Sequence, residues 1–468
     1  MVGPIGGWLK RSANAVTGKA RAILTWETDA ASPVRWIMAG TEQGLFVQSA
    51  AGVVSNITPS AFVSGHADAT ENLGYGGGGF GSGGFGTPRS DETATPVWAT
   101  AWDLDSYGQT PIGCAPIDGR IVSWDLNTSH LAAALSGAPT GCTGVVITPE
   151  GFVMALAPGG LPRRVQWSDQ GSLTTWTPGS TNQAGDVDLV TRGQLVKGVR
   201  LAGSTLLLTD VDAHVATYDG LPAVYNFQRL GSAGCGAISK GCVVGMGALA
   251  AWWSKSGFWA YDGSLQPLEC EVWEFLLGDL NWAQASKISG WHNARYGEAW
   301  WFYPSNAGIE NDSYVMWAYR ASQELGAPIW YTGSLQRLCG AQGDVFTYPL
   351  AIDASGYIYE HETGFQRDGR TPYIETGAIE LGAGDRVMRI SGLVADDGNL
   401  VGDVTAQIRE QGFPDDNVTV LDALTIAAPG FVETRAASRQ VSLRFSQAMA
   451  DDWRIGATRL QVQAGGRR

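Results

Sequence analysis

Residues 74–86 read Gly-Tyr-Gly-Gly-Gly-Gly-Phe-Gly-Ser-Gly-Gly-Phe-Gly, a glycine density able to present backbone N–H groups to phosphate. The run lacks the Gly-Lys-Ser/Thr ending that reaches phosphate and metal, and no strand before it or helix after it makes a βαβ unit. Phosphate chemistry is therefore not expected. Two readings stay open: a mobile loop, or a loop whose Tyr75, Phe80 and Phe85 dock on a neighbouring subunit.

Other candidate chemistry is dispersed. The five histidines, His66, His130, His214, His292 and His361, fall in no helix-borne metal motif and beside no nucleophile elbow. The pairs Asp396-Asp397, Asp415-Asp416 and Asp451-Asp452 are adjacent, so on a strand the two carboxylates face opposite ways; they read as solvated turns. Cys114, Cys142, Cys235, Cys242, Cys270 and Cys339 contain no Cys-x-x-Cys pair and read as buried thiols. Residues 167–176 place Ser168, Asp169 and Gly171 between Trp167 and Trp176, which resembles the Asp-box turn of sialidase-like propellers. That box is a structural turn, and a sialidase also needs a tyrosine nucleophile and an arginine cluster. The expectation is no catalytic residue, no cofactor and no metal ligand.

The elements that position these residues are strands. Gly119-Arg120-Ile121-Val122-Ser123-Trp124-Asp125, His214-Val215-Ala216-Thr217-Tyr218-Asp219-Gly220, Gly257-Phe258-Trp259-Ala260-Tyr261-Asp262-Gly263 and Gly356-Tyr357-Ile358-Tyr359-Glu360 share one grammar. Each alternates along a strand and ends at an aromatic followed by an acid; the acid accepts turn N–H groups and glycine supplies positive φ. Another strand, from Val34 to Ala39, enters a turn and returns as Leu45-Phe46-Val47. One such unit cannot bury its own face, so the units must stack around an axis. The fold class expected is an all-β protein, a β-propeller with an appended C-terminal β-sandwich and a short helical insertion; a large sandwich array is the alternative.

The insertion is read from Val272, Phe275, Leu276, Leu280 and Ala283, near helical spacing, with Asp279 or Asn281 as the cap of a second short helix. It is either a simple insertion between blades or part of a partner groove. Beyond residues 366–372 tryptophan becomes rare, and Val404-Thr405-Ala406-Gln407-Ile408-Arg409 and Val441-Ser442-Leu443-Arg444-Phe445 alternate cleanly. The domains expected are an N-terminal arm over 1–20, a propeller over 21–371 carrying the 74–86 loop, and a β-sandwich over 372–468.

Composition agrees with turns and aromatic strands: 63 Gly and 19 Trp in 468 residues. Charged residues make up 16%, and the formal net charge of −14 excludes a general basic nucleic-acid footprint. No segment has signal-peptide or membrane-spanning character. Lys10, Arg11, Lys19 and Arg21 form a local basic group, read as solvated surface or as local contacts.

Several words taken in order resemble a family of short-tailed bacteriophage proteins, the tail hub or nozzle propellers that stabilise packaged DNA. They are Gly18-Lys19-Ala20-Arg21-Ala22-Ile23, the run ending Gly86-Thr87-Pro88-Arg89, and Trp102-Asp103-Leu104-Asp105-Ser106-Tyr107-Gly108. Arg163-Arg164-Val165-Gln166-Trp167-Ser168-Asp169, Asn182-Gln183-Ala184-Gly185-Asp186, Trp300-Trp301-Phe302-Tyr303-Pro304 and Asp452-Trp453-Arg454-Ile455-Gly456 complete the set. The resemblance implies a virion tail protein without enzymatic activity, in a ring typically of six copies below the portal and adaptor. Tail fibre or needle proteins are further implied neighbours, and double-stranded DNA would leave through the channel without sequence-specific binding. The alternatives are a propeller glycan hydrolase or lyase, and a host-surface-binding tail module.

Overall fold

The computed structural model describes residues 3–29, 31–70, 97–231, 234–343, 345–381, 384–394, 403–426, 431–449 and 452–466. Tyr75, Phe80 and Phe85, with the whole of 74–86, lie outside the described residues, as do Asp396, Asp397 and Asp451.

Short apolar runs form strands here because both faces of each strand are covered. In Gly144–Ile147, Val145 and Ile147 pack with Ile112 and Cys114 of the preceding sheet, whereas Val146 packs with Leu195 and Leu207 of the following one. Leu206, Leu207 and Leu208 divide in the same way, the middle one facing back and the outer two forward. A continuous apolar run is what a doubly covered strand requires.

Among the described residues seven antiparallel four-stranded sheets result, and they are the blades of a β-propeller. Blade I comprises Ala20–Glu27, Arg35–Thr41, Gly44–Gln48 and Val54–Asn56; blade II comprises Asp103–Tyr107, Thr110–Cys114, Ile121–Ser123 and Ala133–Ala134. Blade III runs Gly144–Ile147, Val153–Leu156, Arg164–Trp167 and Gly185–Asp188, and blade IV runs Leu195–Leu201, Ser204–Thr209, Ala213–Gly220 and Val224–Leu230. Blade V contains Val243–Met246, Leu249–Ser254, Gly257–Tyr261 and Leu265–Leu268, and blade VI contains Ser289–Asn293, Glu298–Tyr303, Ser313–Trp317 and Trp330–Ser334. Blade VII takes Cys339–Ala341, Leu350–Ile352 and Ile358–His361 from the end of the propeller segment and its outer strand, Trp8–Lys10, from the chain's start. The first strand of each blade is innermost, and the inner strands pack in succession until blade VII meets blade I.

Two devices hold neighbouring blades together. Glycine on an inner strand leaves a hole for the neighbour's side chain: a Cβ at Gly290 would lie 2.5 Å from Val244 Cγ2, and one at Gly198 would lie 2.5 Å from Val146 Cγ1. Tryptophan supplies the other. Trp102 Nε1 of blade II donates to the Thr41 carbonyl of blade I at 2.8 Å, and Trp301 Nε1 of blade VI donates to the Cys242 carbonyl at 2.7 Å. Both rings are buried, so the indole N–H needs such an acceptor.

The residues after the N-terminal strand latch blade VII. Arg11 N–H donates to the Ile358 carbonyl at 2.8 Å, Ile358 N–H donates to Ser12 Oγ at 2.9 Å, and Val16 N–H donates to the Gly356 carbonyl at 2.9 Å. Asn14 then grips blade I, its Nδ2 donating to the Val54 carbonyl and its Oδ1 accepting from Val54 N–H, both at 2.9 Å. Lys10 lies over the Tyr357 ring, Arg11 pairs with Glu360, and Lys19 Nζ donates to the Ala354 carbonyl. Each of these three cations thus has a partner within the chain.

The chain divides into two compact units, 10–360 and 1–9 with 361–468. The division differs from boundaries after 20 and 371 because the start of the chain forms a strand and not a bare arm. In the second unit a six-stranded sheet centred on Val404–Gln411 and Gln440–Ser446 is covered by a three-stranded sheet of Phe431–Ser438, Met388–Val394 and Arg459–Ala464. Val404, Ala406, Ile408, Val441, Leu443 and Phe445 face Met388, Ile390 and Leu393 across one core, which makes this unit a β-sandwich.

The helical insertion lies between blades V and VI, as an α-helix over Trp273–Asp279 and a 3-10 helix over Trp282–Lys287. Leu276 and Leu280 are buried, whereas Phe275 and Ala283 are exposed. Asn281 holds the N-cap position of the second helix, as expected of one of the two candidates, but its side chain does not cap: Nδ2 donates to the Gly308 carbonyl at 2.8 Å, while Asp279 accepts from Tyr303 Oη at 2.8 Å. A second α-helix, Tyr319–Leu325, interrupts blade VI. No described helix is long and apolar enough to cross a membrane.

Candidate functional site

Charged side chains on the inner strands converge at the centre of the ring. Asp103 and Asp105 stand two apart on the inner strand of blade II, so both turn toward blade III while Leu104 turns the other way. Gly144 of blade III makes the space, since any Cβ there would collide with Asp103 Oδ2. Through that gap two lysines from blades beyond reach Asp103: Lys197 of blade IV at 2.5 Å and Lys240, just before blade V, at 2.8 Å. Lys240 Nζ also donates to the Thr143 carbonyl at 2.7 Å. Asp103 is fully buried, so this is a bracing contact made away from water.

Asp105 accepts from Ile147 N–H at 2.8 Å and from Arg200 at 3.2 Å. Burial nevertheless raises its pKa above the ordinary carboxylate value, with Arg200 and the backbone donors opposing. Across blade VII a second group forms. Arg21 of blade I lies 2.8 Å from Glu310 and donates to the Ala67 carbonyl at 3.0 Å. Lys287, buried ahead of blade VI, contacts Asp68 at 2.6 Å, Glu310 at 3.3 Å and the Ile309 carbonyl at 2.7 Å.

Between these groups is a cavity of about 160 Å³. Its wall includes Arg21, Lys197, Lys240, Trp102, Ser289 and Cys339, drawn from six blades. What this arrangement offers chemically is a set of cationic hydrogen-bond donors at the centre, with the acids turned away as their partners. A second, open depression of about 380 Å³ lies between blades IV and V against Arg229, Leu230, Trp259 and Leu265. Arg229 there is drawn to Asp212 at 2.8 Å.

Among the described residues, those singled out in the sequence do not converge. His130 pairs with the exposed Asp125 at 2.6 Å, His214 contacts Asp212 at 3.2 Å, and His292 lies 3.0 Å from both Gln342 and Tyr319 Oη. Burial lowers the pKa of His214 and of His292. In the Asp-box-like turn, Asp169 Oδ1 accepts from Gln183 N–H at 2.8 Å, Val153 N–H donates to Ser168 Oγ at 3.0 Å, and the Trp176 ring is buried beneath. Its side chains are taken up by the turn. Asp416 accepts from Phe413 N–H at 2.9 Å in another turn.

Five of the six cysteines are buried and Cys270 is half-buried. Burial pushes the Cys142, Cys270 and Cys339 thiols up to about 12. Among the described residues no cluster of histidine, cysteine, aspartate or glutamate has a geometry able to hold a metal ion. Sequence reasoning missed the axial charges. Their one signal was charge inside an inner-strand word, as at Asp103 and Asp105 in Trp102-Asp103-Leu104-Asp105.

No family model matches the chain, and no curated protein matches it. Among solved structures, a streptogramin B lyase is 9% identical with a TM-score of 0.40, covering 76% of this chain and 96% of that one. The virginiamycin B lyase of Staphylococcus aureus is 7% identical with a TM-score of 0.41, covering 76% of this chain and 97% of that one. The Cps50 (Swd1) β-propeller domain of Myceliophteria thermophila is 8% identical with a TM-score of 0.41, covering 75% of this chain and 99% of that one.

Proposed function

We propose that this chain is a structural subunit of a bacteriophage tail hub or nozzle, assembling as a ring, typically of six copies, below the portal and adaptor. The observation that carries the reading is the ordered set of sequence words from Gly18 to Gly456, which runs through both propeller and sandwich. The axial geometry is in keeping with a scaffold: its carboxylates are held by lysine and arginine across intervening blades. A cavity of about 160 Å³ is far too small for a DNA duplex, so in this reading the DNA passes through a lumen enclosed between copies. Six copies would multiply a formal charge of −14 each, and an acidic lumen repels phosphate and lets DNA slide. The chain retains packaged DNA and guides its ejection without a cofactor or a catalytic step.

Mass photometry and electron microscopy of the purified protein with its tail partners test the proposal. Closed rings docked on an adaptor are the expected result. A stable monomer that degrades capsule polysaccharide would overturn it in favour of a glycan enzyme.

A further inference from the structure

The central cavity carries an excess of positive charge. Arg21, Lys197 and Lys240 line it, and no carboxylate among the described residues does. Lys197 and Lys240 share the single carboxylate of Asp103. Arg21 and Lys287 share Glu310, and Lys287 adds Asp68, so four cations face three carboxylates. Asp105 does not redress the difference, because it has its own partner in Arg200. The Arg21 side chain is only 3% exposed, and its Nε is buried without a hydrogen-bond acceptor. A buried guanidinium donor left without an acceptor, beside a surplus cation, is costly unless an anion completes the set.

From this geometry we infer that the propeller axis binds one small tetrahedral oxyanion, of phosphate or sulfate size and charge. Arg21 supplies its Nε–H, its terminal nitrogens being held by Glu310 and the Ala67 carbonyl, and Lys197 and Lys240 supply ammonium donors from other blades. The volume is ample: on this measure about 10–15 Å³ is enough for one water, so about 160 Å³ accommodates a tetrahedral oxyanion with water beside it. The site is independent of the proposed tail function, since it belongs to one chain.

Isothermal titration of the full chain with sodium phosphate, sulfate and acetate at constant ionic strength tests the inference. Phosphate or sulfate is expected to bind one to a chain and to raise the thermal midpoint, with acetate as the control. Lys197→Met removes the least buried of the three cations and is expected to weaken binding at least about tenfold. Crystals of the unaltered protein soaked in selenate are expected to show anomalous density among Arg21, Lys197 and Lys240, a result that does not depend on how the variant folds. The inference fails if phosphate and sulfate bind no better than acetate, if Lys197→Met binds them as tightly as the parent, or if selenate leaves the cavity empty.

Discussion

Asp103 serves two lysines that start from different blades, so its removal should be felt well beyond its own strand. Asp103→Asn keeps the shape but leaves both ammonium groups without their anion in a buried setting, at an expected cost of about 3–5 kcal/mol in urea unfolding. Arg164→Gln, which breaks a pair with the exposed Asp188 at 2.8 Å, should leave the unfolding midpoint unchanged. A titrating residue gives a second expectation. Burial depresses the pKa of His292 below its ordinary value, so the folded state resists protonation that the unfolded state accepts. Its contribution to stability is complete above the unfolded value of about 6.5 and is lost as pH falls toward the folded one. His292→Gln should therefore flatten the fall in thermal midpoint between neutral and mildly acid pH, as read by calorimetry across that range.

At the scale of elements, blade packing depends on inner-strand glycine. Gly290→Ala drives a methyl toward Val244 Cγ2 and should cost about 1–3 kcal/mol, because a packed interior resists added volume. Val244→Ala should recover part of that loss, and a double-mutant cycle measures the coupling. The N-terminal latch is the other such element. Asn14→Ala deletes both hydrogen bonds to Val54, with an expected loss of about 1–3 kcal/mol and faster hydrogen exchange at the Val54 amide. Much of the element plan was legible in the sequence. The words ending at Trp124-Asp125, Asp219-Gly220, Asp262-Gly263 and Glu360 belong to the third strands of blades II, IV, V and VII. Val404-Thr405-Ala406-Gln407-Ile408-Arg409 and Val441-Ser442-Leu443-Arg444-Phe445 alternate as a half-buried sheet must, and they pair with Ile408 opposite Leu443. The blade count was not legible, because outer strands such as Ala133–Ala134 are too short to leave a pattern and blade VII borrows Trp8–Lys10 from the far end of the chain. The axial charges were hidden for a related reason: Lys197 and Lys240 meet Asp103 across sequence separations of 94 and 137 residues. Only closure of the ring brings them together.

For the whole molecule, the proposed conduit makes a claim about what the surface does not do. A chain of formal charge −14 offers DNA no long-range attraction, and the axial cations are engaged by Asp103 and Glu310 and are too confined to meet a duplex. Fluorescence anisotropy with labelled duplex DNA at low salt should therefore show no binding by the assembled ring, even though DNA is its proposed cargo. Association that is tight at low salt and weakens steeply as salt is added would mean that a basic track lines the lumen, because such a slope counts the phosphate neutralisations made on binding. That outcome would replace a channel that lets DNA slide with one that grips it, so that retention would rest on phosphate contacts along the lumen.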